Sequence, residues 1–397
     1  MGRVWIGVDA GKASHHAAAV DEDGELLWHR PVRNDEAGIT DLVATAASVG
    51  PVTWAVDLIS AETALLRGLL AAAGQTVIYV PGRTVKAMAA GFPGEAKTDA
   101  RDALVIGHTA RMRRDIAALP APTELLATLA LLLSHRADLI ADWVRVINRL
   151  RRVLVAISPE LERALNLTTI GALVVVSRFP TPEQIRRAGR ATLVAALGRA
   201  LVPAPGRIVD RVLAAADRQS VVLPGQGAAA VIAADLADHL LRVRRQIKDL
   251  DKAIAQAVAE HPQAEVLLSL PGIGTIAAAE FIVAVGDLST FAGPDNLAAY
   301  AGLAPVAHDS GRRVGNLRRP TRYHRRLRYM FCMAALTAVR TDGPSKTYYQ
   351  RKRREGRNHK QALIALARRR VNVLWALLRD NRTYSPTPPA IPMAVAA

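Results

Sequence analysis

Residues 4–9 read VWIGVD, and this short stretch decides how the N-terminal part of the chain is expected to fold. Val4, Ile6 and Val8 recur at every second position, as on the buried face of a β-strand. Asp9 belongs to the opposite face, and an acidic residue within a strand is disfavoured unless it has a use. The stretch therefore predicts a first strand that presents Asp9 from its end.

The residues that follow continue with strand and helix signals in a fixed order. Two more strands are expected at 17–20 and 26–32, around the hairpin turn Asp23-Gly24. Helices are then expected at 36–48, at 61–73, and from 82 and 98, with strands at 52–58 and 76–80. Three strands followed by alternating helix and strand are the order of a ribonuclease-H-like fold, so we predict an α/β domain of that kind.

The middle of the chain has helical periodicity. In two runs, 140–157 and 236–257, apolar residues recur three and four positions apart over about three heptads. This spacing predicts a coiled-coil seam, or alternatively a pair of amphipathic helices packed within one chain; either would form a helical arm. Between the runs, Thr181-Pro182-Glu183-Gln184 predicts a capped helix start, and no function is assigned to residues 166–230.

Length and composition limit the class of protein. A chain of 397 residues suits two or three domains, and its scarcity of aromatic residues favours helical cores of Ala, Leu and Val. Cys332 is the only cysteine, which excludes an internal disulfide and a cysteine-based zinc site. With no long apolar run and no signal-peptide pattern, we expect a soluble, cytoplasmic protein without a membrane partner.

The positive charge is concentrated in one stretch. Residues 312–370 contain 19 Lys or Arg against Asp342 and Glu355, an excess that equals the whole net charge of +17. Clustered cations bind polyanions by releasing counterions from phosphates, so nucleic acid is the expected partner. The stretch GVDAGK also resembles the first phosphate loop of actin-like or sugar-kinase folds, but a small-molecule kinase has no use for this charge.

Four aspartates are candidate metal ligands. Asp9 and Asp57 are expected at strand ends, and Asp99 and Asp102 in KTDARDA are three apart. If a helix starts by Thr98, the last two share a face, with Cβ atoms about 5 to 6 Å apart. Carboxylates that converge from two strand ends and one helix suit Mg²⁺, which prefers oxygen ligands and bridges to phosphates.

Each of these aspartates except Asp9 also has an ordinary structural interpretation. Asp57 could cap a helix that begins near Ala61, and Asp99 and Asp102 could form a solvated helix face. Glu62 is a second candidate for the role of Asp57, ranked lower because it lies inside the following helix.

The C-terminal part offers a candidate nucleophile and candidate phosphate contacts. Ser310 lies in the turn sequence Asp309-Ser310-Gly311, among arginines that could stabilise a phosphodiester under attack, and His308 could act as base. The PGIG turn could offer backbone N–H groups to a phosphate, or could simply be a tight helix connection. The expected nucleic-acid contacts are Gly272, Gly274, Arg312, Arg313, Arg318, Arg319, Arg325, Arg326, Arg328, Lys352 and Arg353.

Taken together, these motifs resemble the insertion-sequence one-ten (IS one-ten) family of transposases. The matches cover most of residues 4–115 and 265–384, in the order of that family. They are GVDAGK with Asp9, AVDL with Asp57, GEAKTDARDA with Asp99 and Asp102, LPGIG from Leu270, AAYAGLAP from Ala298, DSG with Ser310, and YYQRKRREGR.

The resemblance implies a RuvC-like domain whose DEDD tetrad, here Asp9, Asp57, Asp99 and Asp102, holds Mg²⁺. It also implies that Ser310 forms a covalent link to DNA, that protomers assemble as a homodimer or tetramer, and that a structured guide RNA pairs with target and donor DNA. Two departures are visible. The family commonly has Glu where Asp57 stands, and its Gly-Asn pair before the last basic helix appears as Arg322-Tyr323-His324.

The predicted organisation is therefore α/β plus α. It has a RuvC-like domain at 1–118, a helical coiled-coil arm with an insertion at 119–262, a mostly helical serine-bearing transposase domain at 263–384, and a Pro-rich disordered tail at 385–397. The predicted function is DNA transposition or site-specific recombination. The alternatives are a magnesium-dependent nuclease of the Holliday junction resolvase type and a non-catalytic nucleic-acid-binding protein.

Overall fold

The structure of the chain is a computed structural model that describes residues 2–92, 98–113, 116, 118–119, 123–311 and 314–386. The chain divides into two compact units. We call residues 1–127 with 285–293 the N-terminal unit, and residues 128–284 with 294–397 the C-terminal unit. The predicted domain boundaries at 118 and 262 stay predictions.

The N-terminal unit is built on a mixed five-stranded sheet. Its strands are β1 (Val4–Asp9), β2 (Ser14–Val20), β3 (Leu26–Arg33), β4 (Val52–Val56) and β5 (Thr76–Tyr79). Their order across the sheet is β3-β2-β1-β4-β5. The first three strands pair antiparallel, whereas β4 pairs parallel with both β1 and β5. The sheet contains a strand at each position where the sequence predicts one.

Helices cover both faces of this sheet. They are α1 (Glu36–Ala47), α2 (Ala64–Ala72), α3 (Gly82–Ala89) and α4 (Asp99–Met112). One apolar cluster joins Ile6 of β1 to Ile39 of α1 and Leu66 of α2. A second joins Ala55 of β4 to α3 and α4 on the opposite face. The unit therefore has three layers, with the sheet in the middle.

The helix predicted at 61–73 differs in its first turn. Residues Ala61–Thr63 form a 3-10 turn, and the α-helix starts only at Ala64. The backbone N–H of Ser60 donates to the Thr63 hydroxyl at 3.3 Å. Because this side chain bonds locally to the backbone, the first turn is tighter than an α-helical one.

The C-terminal unit is mostly helical. Its helices, two of which continue into the N-terminal unit, are α5 (Glu124–Ile157), α6 (Pro159–Ala164), α7 (Ile170–Arg178), α8 (Pro182–Arg199), α9 (Pro205–Asp217), α10 (Gln226–Ala259), α11 (Ala264–Ser269), α12 (Thr275–Val285), α13 (Pro294–Tyr300), α14 (Arg325–Val339), α15 (Pro344–Arg354) and α16 (His359–Arg379). A two-stranded hairpin pairs β6 (Val306–Ala307) with β7 (Leu317–Arg318). The coarse part of the predicted fold class, a mixed α/β part followed by a mostly helical part, is confirmed, and the ribonuclease-H-like fold stays a prediction.

The two runs of 3,4 spacing lie in α5 and α10, and both contribute to one core of the same chain. Leu150 and Leu154 of α5 belong to one buried cluster with Leu236 and Leu240 of α10. Helix α7, almost wholly buried, belongs to the same cluster. Packing within the chain therefore accounts for these positions, and an intermolecular coiled coil stays a prediction. The predicted helix start at 181 is confirmed, since the Thr181 hydroxyl accepts from the backbone N–H of Gln184 at 3.2 Å.

Two further expectations concern the ends and surface of the chain. The predicted disordered tail at 385–397 falls mainly on residues 387–397, which lie outside the described residues. Among the helices that the structure describes, none has the length and apolar character required to cross a bilayer.

The contact between β1 and α4 yields a stability prediction. A Cβ added at Gly7 would lie 2.1 Å from the carbonyl oxygen of Ala103 and 2.2 Å from the backbone nitrogen of Gly107. Both obstacles are backbone atoms, so Gly7→Ala should lower the free energy of unfolding by about 2 kcal/mol or more. Chemical denaturation measures the effect.

Gly68→Ala in α2 is the matched control, because nothing lies within 4 Å of the Cβ it would add. It should leave stability unchanged or raise it by up to about 1 kcal/mol through helix propensity. Equal unfolding free energies for the two variants would contradict the proposed contact.

Candidate functional site

Two of the four aspartates lie side by side at the carboxyl ends of neighbouring parallel strands. Val8 of β1 pairs with Val56 of β4, so the next residues, Asp9 and Asp57, occupy matching positions. Adjacent strands are about 4.8 Å apart. Both aspartates are half-buried. The sequence prediction that these two acids meet at one edge of the sheet agrees with this register.

The other two aspartates lie in the first turn of α4. The helix begins at Asp99, and the Thr98 hydroxyl caps it by accepting from the backbone N–H of Arg101 at 3.3 Å. Asp102 precedes Ala103, whose backbone touches Gly7 of β1. The close contact between β1 and α4 thus carries Asp102 toward the sheet. A helix N-terminus also stabilises negative charge, which favours acids in this turn.

Asp57 is the electrostatically unusual member of the set. Burial raises the pKa of its carboxyl, and the negative charge of Asp102 raises that pKa further. The Oδ1 atom of Asp57 is buried and has no hydrogen-bond partner among the described residues. An unpaired buried polar atom is costly, so this carboxylate is suited to a cation that is not part of the chain.

The capping interpretation of Asp57 does not hold. The residue at the start of the 3-10 turn is Ser60, which forms a capping box with Thr63. Asp57 lies three residues earlier, where β4 has just ended. Glu62, the second candidate for its role, accepts a hydrogen bond from the Ser60 hydroxyl at 2.5 Å, and this bond lowers the pKa of the Glu62 carboxyl.

The structure brings the four aspartates together in part. Asp57 lies beside Asp9 in register and within electrostatic range of Asp102, while the charge of Asp99 acts on His16 of β2. Among the described residues, no group of three or more His, Cys, Asp or Glu side chains is placed to hold a metal ion. The four aspartates are therefore not gathered into one ready-made metal site.

A histidine pair beside the acids was not anticipated from the sequence. His16 pairs with Asp9 across β1 and β2, and its Nε2 lies 3.2 Å from Nδ1 of His29 on β3. Burial lowers the pKa of His16, the neighbouring His29 lowers it further, and Asp99 opposes both effects. The sequence alone gave little indication of His16, because only the register between β1 and β2 places it opposite Asp9.

Ser310 lies near the tip of the β6-β7 hairpin and is exposed. The backbone N–H of His308 donates to the carbonyl of Asn316 at 2.8 Å, and the backbone N–H of Asn316 donates to Oδ1 of Asp309 at 2.8 Å. These bonds close the loop around the serine. The predicted contacts Arg312 and Arg313 lie outside the described residues. The Ser310 hydroxyl is thus presented on a supported turn where a large substrate could reach it.

The predicted basic contacts divide by their surroundings. Arg318 of β7 and Arg325 at the start of α14 are exposed. Arg319 and Arg328 both lie over the Tyr323 ring, at 5.6 and 4.9 Å from its centroid. Arg328 also donates to the carbonyl of Gly302, so it supports the local packing whatever else it binds.

The remaining basic contacts have partners of their own. Arg326 lies 3.9 Å from the carboxylate of Glu280, and Lys352 lies 2.7 Å from that of Glu355. Arg353 donates to the carbonyl of Arg357 at 3.0 Å. Surface pairs of this kind are weak and exchange readily for phosphate.

Close packing explains why the first glycine of the PGIG turn, Gly272, is a glycine. Gly272 has a φ of +87°, and a Cβ there would lie 2.4 Å from the carbonyl oxygen of Ala334 in α14. Nothing lies within 4 Å of the corresponding position at Gly274. A tight connection that needs glycine is therefore sufficient to explain Gly272, and phosphate binding by this turn stays a prediction.

Comparison with known proteins identifies the family. Residues 6–159 match a transposase family, and residues 264–350 match the family described as transposase IS116/IS110/IS902. The chain is also 50% identical over 388 residues to the insertion element IS116 uncharacterized 44.8 kDa protein of Streptomyces clavuligerus, covering 98% of this chain and 97% of that protein. The chain belongs to the IS116/IS110/IS902 family of transposases. It is therefore an enzyme of DNA transposition and recombination.

Two further relatives place the chain within this family. It is 45% identical over 388 residues to the insertion element IS900 uncharacterized 42 kDa protein of Mycobacterium paratuberculosis, covering 96% of this chain and 97% of the relative. It is 30% identical over 153 residues to a pilin gene-inverting protein of Moraxella bovis, covering 37% of this chain and 48% of the relative. The similarity of this chain to the pilin gene-inverting protein thus covers only part of each protein.

The raised pKa of Asp57 gives a stability prediction with a definite sign. A carboxyl whose pKa is higher in the folded state stabilises folding fully below its unfolded pKa, about 3.9. That contribution is lost as pH rises through the folded pKa. Without divalent ions, Asp57→Asn should therefore be more stable than the parental chain at about pH 7, and this advantage should disappear toward about pH 4.

Melting temperatures across this pH range measure the difference between the two chains. The control is Asp23→Asn, which removes an exposed carboxylate from the turn between β2 and β3. It should follow the parental curve. An Asp57→Asn curve parallel to the parental one at all pH values would mean that burial does not perturb this carboxyl.

Proposed function

We propose that this IS116/IS110/IS902-family transposase cuts and rejoins DNA with an Mg²⁺-binding aspartate set in the N-terminal unit and with Ser310 as nucleophile in the C-terminal unit. The main support for Mg²⁺ binding is the Oδ1 atom of Asp57. This atom is buried and has no hydrogen-bond partner among the described residues, and Asp57 lies beside Asp9 and near Asp102. The sheet order β3-β2-β1-β4-β5 supports a ribonuclease-H-like, RuvC-like domain.

The residues fit Mg²⁺ by their chemistry. Asp9, Asp57, Asp99 and Asp102 supply oxygen ligands, and Asp57 offers an oxygen that the chain leaves without a partner. Mg²⁺ usually retains several waters and is held by one or two carboxylates together with substrate phosphates. Because the described side chains form no group of three that could hold a metal ion, one or two of the aspartates would have to hold it together with substrate phosphates and water. When bound, the ion would neutralise charge on the phosphate and favour formation of a reactive oxygen nucleophile.

The proposed role of Ser310 is attack on a DNA phosphodiester. The Ser310 oxygen forms a bond to phosphorus and its proton passes to a base. The bond from phosphorus to one DNA oxygen breaks, and that oxygen takes up the proton from the base, so that the strand end leaves as a hydroxyl. One phosphodiester replaces another, so rejoining requires no external energy. His308, two residues away, is the candidate base, and Arg318 on the same hairpin can face the phosphate charge.

The partners belong to the same proposal. Donor and target DNA, a structured guide RNA, and assembly as a homodimer or tetramer are supported by the resemblance described above. The segregation of positive charge into residues 312–370 supports a polyanionic partner for the C-terminal unit.

A metal-only nuclease of the Holliday junction resolvase type is the second candidate. It is favoured by the exposed position of Ser310 in a turn whose hydrogen bonds require no catalytic role. The two candidates differ in one product. Only serine attack leaves protein joined to DNA, because hydrolysis by metal-bound water leaves no adduct.

Mg²⁺ binding is testable without any measurement of activity. At about ten times its dissociation constant, a bound ion stabilises the folded state by about 1.4 kcal/mol. Mg²⁺ should therefore raise the melting temperature of the parental chain by several degrees over NaCl of equal ionic strength. Asp57→Asn and Asp99→Asn should lose most of this shift, and Asp23→Asn should keep it. A full Mg²⁺ shift in Asp57→Asn would exclude the proposed site.

The serine role is tested by trapping the adduct. Parental protein incubated with element-end DNA should leave a protein-DNA band that survives denaturation, and Ser310→Ala should abolish both the band and strand cleavage. Affinity for DNA should remain within about twofold of parental. Asp99→Asn should impair the magnesium-dependent reaction. If Ser310→Ala cuts and joins at the parental rate, the metal-only candidate replaces this proposal.

A further inference from the structure

A cavity of about 810 Å³ lies within the C-terminal unit, between α15, α16 and residues 382–386. Four arginines line it: Arg351, Arg369, Arg370 and Arg382. No aspartate or glutamate of the described chain lines it. None of its lining residues belongs to the aspartate set or to the hairpin of Ser310. We call it the arginine cavity, and its size is that of a small-ligand site.

Among the four arginines, Arg370 gives the strongest indication that the cavity binds an anion. Its side chain is only 3% exposed, and it donates to the carbonyl of Pro271 and, at 3.3 Å, to the Ser345 hydroxyl. Its Nε is buried without a hydrogen-bond partner, and no ion pair joins it to a carboxylate in the described part of the chain. Burial lowers the pKa of this guanidinium to about 10, so it is still charged at neutral pH. A buried cation without a counter-ion is costly, and an anion in the cavity would offset that cost.

Further cationic groups line the same cavity. The guanidinium groups of Arg351 and Arg369 each lie 5.0 Å from the centroid of the Tyr348 ring, which holds both at the cavity. Helix α15 begins at Pro344, and residues of its first turn also line the cavity. The free N–H groups of a helix start attract anions.

Part of the remaining lining is aliphatic. It consists of Leu270, just after α11, and of Leu366, Val373, Ala376 and Leu377 of α16, beside polar residues such as Asn372 and Tyr384. An inorganic anion gains nothing from contact with aliphatic side chains, whereas a nucleobase can pack against them. A cavity lined by both guanidinium and aliphatic groups is matched by a molecule that joins a phosphate to a flat ring.

We propose that the arginine cavity binds one unpaired nucleotide of a nucleic-acid strand, with its phosphate toward Arg369 and Arg370 and its base against Val373 and Ala376. The inference rests on the proposed function only in taking nucleic acid as the ligand. A paired base is stacked within its duplex and must leave the stack to enter a pocket. The cavity therefore favours single strands over duplex DNA.

Binding by the full chain in the presence of a chelator tests this proposal, because neither Mg²⁺ nor Ser310 chemistry affects that measurement. The probes are labelled single-stranded RNA, single-stranded DNA and duplex DNA of equal length, followed by fluorescence anisotropy. Ala376→Phe fills the cavity without altering charge. Arg369→Gln removes one lining cation, and this exposed residue can be changed with little risk to folding.

Both variants should weaken single-strand binding about tenfold, the size of one base contact, while duplex affinity stays within about twofold. Lys360→Gln is the matched control, since it removes an exposed charge of α16 that does not line the cavity. It should weaken single-strand and duplex binding equally and by less than about threefold. Whichever of RNA and DNA loses more affinity on Ala376→Phe is the strand that supplies the nucleotide.

A competition experiment tests the base contact directly. A nucleoside monophosphate should displace the single strand from the parental chain but not from Ala376→Phe, and inorganic phosphate at equal ionic strength should displace it less. Equal competition by inorganic phosphate would reduce the cavity to an anion site and overturn the proposal. Parental affinity in both Ala376→Phe and Arg369→Gln, or equal losses for single strand and duplex, would overturn it as well.

Discussion

The close backbone contact between β1 and α4 is the constraint on which the candidate site depends. Gly7 leaves room for the carbonyl of Ala103 and the nitrogen of Gly107 to approach the strand directly. Asp102 is the neighbour of Ala103 and therefore lies near the strand ends where Asp9 and Asp57 stand. A larger residue at position 7 would move α4 outward, and the aspartates would separate although each of them was still present.

The periodicity of apolar residues predicted most of the strands and helices, because each segment shows its period of two or 3.6 residues in its own sequence. VWIGVD became β1, and the runs around Leu150 and Leu240 became two long helices. What each apolar face packs against is a tertiary property. The same 3,4 spacing suits a partner chain or a neighbouring helix, and in this chain α7 lies in the buried cluster that joins the two runs.

For the candidate site too, the sequence predicted where individual residues lie on strands and helices but not all of their neighbours. The sequence predicted that Asp9 and Asp57 lie at strand ends, and the parallel pairing of β1 with β4 in the structure puts them next to each other. The place of His16 opposite Asp9 required the antiparallel register of β2, which the sequence does not specify. The capping interpretation of Asp57 was wrong because Ser60 and Thr63 satisfy the turn locally. Arg370 resembled other members of a basic run, and only the fold separates it from its exposed neighbours.

Each of the two units contains a buried atom of a charged side chain that has no hydrogen-bond partner among the described residues. In the N-terminal unit, Asp57 keeps a buried carboxylate oxygen unpartnered, and in the C-terminal unit Arg370 keeps a buried guanidinium nitrogen unpartnered. Chains selected only for stability tend to pair such groups internally, because each one left unpaired costs free energy. The two proposals above assign ligands of opposite sign to these residues, a cation to Asp57 and a phosphate to Arg370. A nucleic-acid strand with its associated Mg²⁺ brings both, so binding of substrate would relieve in each unit a cost that folding alone leaves in place.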